Sequence, residues 1–273
     1  MTPFFKILFF IIGLILLPSL VIAAPDAVLI EKWTAHNPAS TARVDHDPLD
    51  RLLAKYRAMG TDQIARFAYD KVSAADKTRL NDYLQQLSQT AVSSLSRNSQ
   101  YAFWVNLYNS LTLKVILDHY PQTSIRNINI SPGLFTSGPW GVDLITVEGS
   151  TLSLDNIEHG IIRPIWRDPR SHYVLNCASL GCPDLPAAAL RPHTLDQTLS
   201  AAAVAFINHP RAVQVTNGTL VVSSIYRWFS DDFGSSDRKI IAHLTKYAAP
   251  DLKAALGVIH RIDDDFYDWQ LNQ

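Results

Sequence analysis

The chain has 273 residues, with 24 Lys and Arg against 25 Asp and Glu, a net charge of −1 with histidine neutral. Apolar residues make up 47% and charged residues only 18%, a balance that fits a well-buried globular domain and argues against a disordered tail. No basic run or stripe is present, so nucleic acid is not expected as a partner.

The N-terminus reads as a secretory signal. Lys6 gives a positive start, Ile7 to Leu17 is apolar apart from Gly13, and Pro18 and Ser19 end the run. Val21 and Ala23 then stand at −3 and −1 of a cut after Ala23. No cysteine sits near that cut, so a lipoprotein anchor is not expected. An uncleaved membrane anchor is the competing reading, but the run is short for the ~20 residues a span needs. The expectation is export to the periplasm, with residues 1–23 removed and no stable membrane span afterwards. Loss of Lys6 leaves 23 basic against 25 acidic residues, a net of −2. The remaining length is enough for one large domain with a real core.

Residues 24 to about 48 read as an extended leader, interrupted by Pro25, Asn37-Pro38 and Asp47-Pro48. From Leu49 a helix is expected, with Leu52, Leu53 and Tyr56 on one face and Gly60 beyond it. Ser73-Ala-Ala-Asp76 resembles a capping box and opens a helix with Leu80, Tyr83, Leu84 and Leu87 as its apolar positions. The Ser-rich stretch 89–98 reads as a linker. A helix over Ser99 to His119 follows, apolar almost all round and therefore buried. On it Asn106, Asn109 and Ser110 share a face at i, i+3 and i+4. Buried amides cost about 1–3 kcal/mol each when unpaired, so these must meet backbone, a ligand or a reacting group.

Val142 to Thr151 reads as a hairpin, and Ser153 caps a short helix over Leu154 to Arg163 that Pro164 ends. On that helix Asp155, His159 and Arg163 share a face. The stretch from Ser171 to Cys177 alternates His172, Val174 and Asn176 with Tyr173, Leu175 and Cys177, a strand pattern running into a small-residue loop. Thr194-Leu-Asp-Gln197 is a capping box for an Ala-rich helix reaching about Asn208. Val213 to Val222 is a hairpin turning at Asn217-Gly218. Helices are expected over Ser224 to Phe229, over Arg238 to Ala248 and after Pro250, and the tail from Ile259 to Leu271 adds a strand. No internal repeat and no Gly-rich phosphate loop is found, and no cofactor is expected.

Cys177 and Cys182, the two cysteines of the chain, admit three chemistries. In an oxidising compartment a disulfide is the default for a single pair. Gly181 lets the short loop close, and chain-entropy arithmetic gives such a bridge about 2 kcal/mol. Alternatively, Cys177 is a nucleophile activated by His159 or His172, with Asn106 or Asn176 orienting the imidazole or binding an oxyanion. On a regular strand His172 and Cys177 point to opposite faces, which weakens that pair unless the strand ends before Cys177; His159, from the preceding helix, is the better fit. Last ranks a metal held by His159, His172, Cys177 and Cys182, whose spacing matches no common zinc motif. His193, His209 and His243 are expected to be structural.

Five ordered motifs carry a family resemblance: Gln100-Tyr-Ala-Phe-Trp-Val-Asn-Leu-Tyr-Asn109, Ile157-Glu-His-Gly-Ile-Ile-Arg163, His172-Tyr-Val-Leu-Asn-Cys-Ala-Ser-Leu-Gly-Cys-Pro183, Ser224-Ile-Tyr-Arg-Trp-Phe-Ser-Asp-Asp-Phe-Gly234 and Tyr267-Asp-Trp269. Together they resemble the domain of unknown function 547 family over roughly residues 65–271. The resemblance implies that the three central motifs meet in one pocket, and it brings no established activity. A looser likeness is to the core of papain-like and transglutaminase-like enzymes, in which a nucleophilic cysteine opens the buried helix. Here that region reads Tyr101-Ala-Phe-Trp104, without a thiol. That leaves a nucleophile relocated to Cys177, or a scaffold that binds without reacting.

The sequence therefore predicts one α+β domain over 65–271, preceded by a leader and first helix over 24–64. Helices would pack on a mostly antiparallel sheet. The leading functional expectation is a thiol-dependent hydrolase or transferase acting on an unidentified small molecule or peptide. The rival is a non-catalytic binding or structural protein with a Cys177–Cys182 disulfide.

Overall fold

The protein is described from a computed structural model, which covers residues 25–133 and 137–273. The predicted signal segment lies outside the described residues. The architecture is organised around one long helix. Helix α1 (Asp47–Tyr56) leads into a two-stranded ribbon, β1 (Arg57–Met59) and β2 (Ala65–Phe67), and then α2 (Ala74–Ser88). Ser73 caps α2 through its hydroxyl, which accepts from Asp76 N–H, as the sequence predicts. Helix α3 (Arg97–His119) follows, capped by Ser96. It has no polar face: the run from Ser99 to Leu113 is buried throughout, which is why its pattern carries almost no amphipathic signal.

The hairpin of β3 (Ile145–Val147) and β4 (Ser150–Leu152) turns at Glu148 and Gly149, both at positive φ. A π-helical stretch, Asn156–Ile162, runs on into the short α4 (Arg163–Trp166). Helix α5 (Leu195–Ile207) precedes a second hairpin, β5 (Val213–Thr216) and β6 (Thr219–Ser223). Its turn residues Asn217 and Gly218 sit at φ 52° and 80°, as a two-residue hairpin turn of the primed kind requires. Then come α6 (Ile225–Trp228), α7 (Asp237–Tyr247), α8 (Pro250–Leu256) and β7 (Asp264–Phe266), which pairs parallel to β6. The result is an α+β domain with eight α-helices among the described residues and only small sheets of two, two and three strands.

The strands pair mostly antiparallel, in small sheets, and the larger apolar cluster forms around the buried α3 while a smaller one joins α5, α7 and the β5–β6 hairpin. The leader is held against the domain by Trp33, buried edge-on against Trp104 with ring centroids 4.8 Å apart. Contrary to the stop expected at Pro164, the helical segment continues past it, with Pro164 the second residue of α4 directly after the π-helical stretch. Thr194 precedes α5, but its side chain makes no capping bond.

The largest correction concerns residues 171–177. They form no strand: Pro169–Tyr173 is a 3-10 turn that Asp168 caps by accepting from Arg170 N–H, and the chain then runs irregularly into the Cys177–Cys182 loop. Residues 171–176 are all buried, so the alternation separates no inner from outer face. The C-terminal tail clamps this loop instead. Leu180 N–H donates to Gln270 O, Gly181 N–H to Asp268 O and Asn272 N–H to Ala178 O, each at 2.8–3.1 Å.

Candidate functional site

A cavity of about 610 Å³ opens where the two apolar clusters meet. One wall comes from the tail and α6: Trp228, Tyr267 and Trp269, with Trp140 beside them, touch ring to ring with centroids 4.6–5.9 Å apart. The facing wall comes from the π-helical stretch and the 3-10 turn, which present Glu158, His159 and His172. Cys177 and Cys182 also line the cavity. With no strand imposed on 171–177, His172 and Cys177 face the same space.

The π-helical turns explain the acid wall. An i→i+5 pattern widens the helix by one residue per turn and is common at functional sites. It brings Glu158 and His159 inward together, both buried. Arg163, one turn on, donates from Nη1 to His159 Nδ1 at 2.9 Å and from Nε to Asp232 Oδ2 at 2.6 Å. Because arginine only donates, His159 Nδ1 is the acceptor and its proton sits on Nε2, 3.6 Å from Asp155 Oδ1. Burial, helped by the Arg163 charge, pushes the His159 imidazolium down to about 3. His159 is therefore neutral at any ordinary pH.

His172 Nε2 lies 2.7 Å from Asp232 Oδ2, and its ring stacks on Phe229 at 4.1 Å. Burial lowers His172, against the opposing pull of Asp232. Burial alone would raise Asp232, but hydrogen bonds from His172 and Arg163 hold it at about 2. Asp232 is thus a fixed carboxylate, and His172 donates to it. The other nitrogen, Nδ1, faces Glu158 Oε1 at 3.7 Å. Glu158 is pushed up to about 7 by burial, against a hydrogen bond from the Tyr108 hydroxyl and the Arg163 charge.

Cys177 is half-buried and Cys182 buried, and both are free thiols. Their sulfurs lie 2.9 Å apart. Cys177 Sγ also stands 2.9 Å from Tyr267 Oη and 3.3 Å from Ser179 Oγ. The hydroxyls of Ser179 and Tyr267 converge on Cys177 and not on Cys182. Hydrogen bonding from the Cys182 thiol, then from Ser179 and Tyr267, draws Cys177 below its usual value in spite of burial. Burial drives Cys182 the other way and keeps it protonated.

The amides take a different place. Asn106 is not on the cavity wall: its Nδ2 donates to Leu190 O at 3.0 Å and its Oδ1 accepts from Leu190 N–H at 2.8 Å. Asn109 bonds Val174 O and Asn176 N–H in the same two-way manner. Asn176 spends its amide on Pro183 O and Ala178 N–H. All three hold backbone, and Asn109 and Asn176 hold the Cys177 loop through it. His209 and His243 are hydrogen-bonded away from the cavity, to Asp62 O and to the Tyr173 hydroxyl, and His193 is exposed. Among the described residues no three His, Cys, Asp or Glu side chains converge to hold a metal. Glu158, Asp232 and Tyr267 were not singled out from the sequence. All three lie within the quoted motifs, so the motifs marked their neighbourhood but not their roles.

Residues 92–207 match the model of the family described as "Protein of unknown function, DUF547". The matched segment takes in α3, the π-helical stretch, both cysteines and α5. No curated protein and no solved structure matched the chain.

Proposed function

We propose that this protein is a thiol-dependent hydrolase or transferase acting on an acyl compound, with Cys177 as nucleophile. The observation that carries the reading is the setting of Cys177 Sγ: it lines the cavity, and a thiol and two hydroxyls crowd it at 2.9–3.3 Å. Donors around a sulfur favour the thiolate, which is the attacking form. Neither histidine hydrogen-bonds the thiol. His159 and His172 are instead tied to Arg163 and Asp232. The proton-transfer role passes to Glu158, which lines the same cavity with a carboxyl held near neutrality.

In this reading the Cys177 thiolate attacks the acyl carbon, forming the C–S bond. The Tyr267 hydroxyl, 2.9 Å from the sulfur, is placed to donate to the oxyanion. Collapse expels the leaving group, which takes its proton from Glu158. Water or an acceptor nucleophile then attacks the thioester and gives its proton back to Glu158, and the thiolate departs. The same proposal places the protein in the periplasm after cleavage behind Ala23. N-terminal sequencing that starts at Ala24 supports this, and intact Met1 on a membrane-bound species refutes it.

The second reading is a non-catalytic periplasmic protein with a fixed Cys177–Cys182 disulfide. The close approach of the sulfurs favours it. One experiment separates the two. Freshly isolated protein is treated with a small thioester and its intact mass is read. Acylation that vanishes in Cys177→Ala supports the nucleophile. Absence of acylation, with both thiols blocked until reductant is added, supports the fixed bridge.

A further inference from the structure

We infer that Cys177 and Cys182 act as a reversible dithiol–disulfide couple, in which Cys177 meets a peroxide and Cys182 resolves the product. The inference rests on Cys177 being the reactive thiol, as above, but not on acyl transfer. The two sulfurs are unlike in their surroundings. Cys177 is half-buried, faces the cavity and has the hydroxyls of Tyr267 and Ser179 within 3.3 Å. Cys182 is 4% exposed, and its sulfur accepts the Cys177 N–H at 3.0 Å and points toward Leu175 O at 3.6 Å. A bridge built only to staple a loop needs no such asymmetry. A lone nucleophile needs no second thiol in contact.

The loop also holds the pair together without a bond between them. The tail hydrogen bonds fix Ala178, Leu180 and Gly181, and an isolated bridge joins Ser179 to Leu271. Gly181 is packed so closely that a Cβ there would stand 2.7 Å from Asp268 N and 2.9 Å from Asp268 O. Ala178 completes the turn at φ 59°. Starting from 2.9 Å, the sulfurs need to close by less than ~1 Å to bond at ~2.05 Å. Side-chain rotation supplies that, so the bond forms and breaks on a fixed backbone.

The chemistry balances in two steps. The Cys177 thiolate attacks one oxygen of the peroxide and takes up one proton overall. This gives the sulfenic acid and, from hydrogen peroxide, one water; sulfur is oxidised by two electrons and the O–O bond is reduced. The Cys182 thiol then attacks the sulfenic sulfur and releases a second water as the disulfide forms. A reducing dithiol restores both thiols by exchange and leaves as its own disulfide.

The test uses reduced full-length protein, one equivalent of hydrogen peroxide, and dimedone to trap sulfenic acid. Intact mass is read without reductant. The couple predicts loss of two hydrogens, no dimedone adduct, and recovery of both thiols with dithiothreitol. Cys182→Ser should carry a dimedone adduct at Cys177 at least tenfold more abundant than in wild type. A wild-type protein that accumulates the adduct or the sulfinic acid overturns the couple, as do two inert thiols. The wild-type arm decides the matter even if Cys182→Ser does not fold. Thioester acylation is measured separately without peroxide. Bridge formation without acylation refutes acyl transfer and leaves the couple standing; acylation without bridge formation does the reverse.

Discussion

Asn106→Ala tests whether the buried amides build the site or react in it. The side chain is 1% exposed and closes a two-way pair with the backbone of Leu190, 84 residues away in the chain. Alanine leaves Leu190 N–H and Leu190 O without those partners. Each unpaired buried group costs about 1–3 kcal/mol, so the variant should lose about 2–6 kcal/mol. With a urea slope of about 3 kcal/mol per molar, the unfolding midpoint falls by roughly 0.7–2 M. Tryptophan fluorescence and circular dichroism should report the same shift. The alkylation rate of Cys177 in the folded variant should stay within about twofold of wild type, because Asn106 touches neither the sulfur nor the cavity. A midpoint unchanged within ~0.3 M, or a folded variant with a dead thiol, would refute the reasoning.

Two further outcomes follow from the same geometry. Glu158 has a folded-state value of about 7 against 4.5 when free. Its raised value contributes stability below pH 4.5 that is lost as pH rises through 7. Glu158→Gln should therefore match wild type near pH 4 and be more stable at pH 8 by about 3 kcal/mol, at ~1.36 kcal/mol per unit; equal stability at both pH values in urea unfolding argues against a buried, protonatable Glu158. Gly181→Ala forces a Cβ into the Asp268 backbone, and overpacking of this kind costs about 1–3 kcal/mol. It should also raise amide exchange at Leu180 and Asn272, whose N–H groups make the loop–tail bonds, and an unchanged exchange pattern would show that the tail does not clamp the loop.

The helices and the Asn217-Gly218 hairpin were legible because local chemistry decides them. Ser73 caps α2, and Pro250 opens α8. The burial of α3 was legible from its all-round apolar sequence, and the pairing of its amides with backbone was one of the three readings left open. What could not be read was residues 171–176. Their alternation mimics a strand, but the segment is enclosed on all sides, and Asn109 meets its backbone groups in place of a neighbouring strand. That misreading set His172 and Cys177 on opposite faces. His159 and His172 come from helical turns and not from a sheet. Glu158 escaped notice because a π-helical turn, invisible at a period of 3.6, swings it inward beside His159. Asp232 is 69 residues from Arg163 and 60 from His172, and no local pattern joins them.

The most direct test of the account is the pH dependence of alkylation in fully reduced, folded protein, resolved cysteine by cysteine by peptide mass. Cys177 should react alone, with a midpoint clearly below the ~8.5 of a free thiol, while Cys182 stays unmodified until the protein unfolds. Equal labelling of both cysteines with an ordinary midpoint, or no labelling of Cys177 while the cavity is open, would contradict the claim that this loop presents one activated thiol.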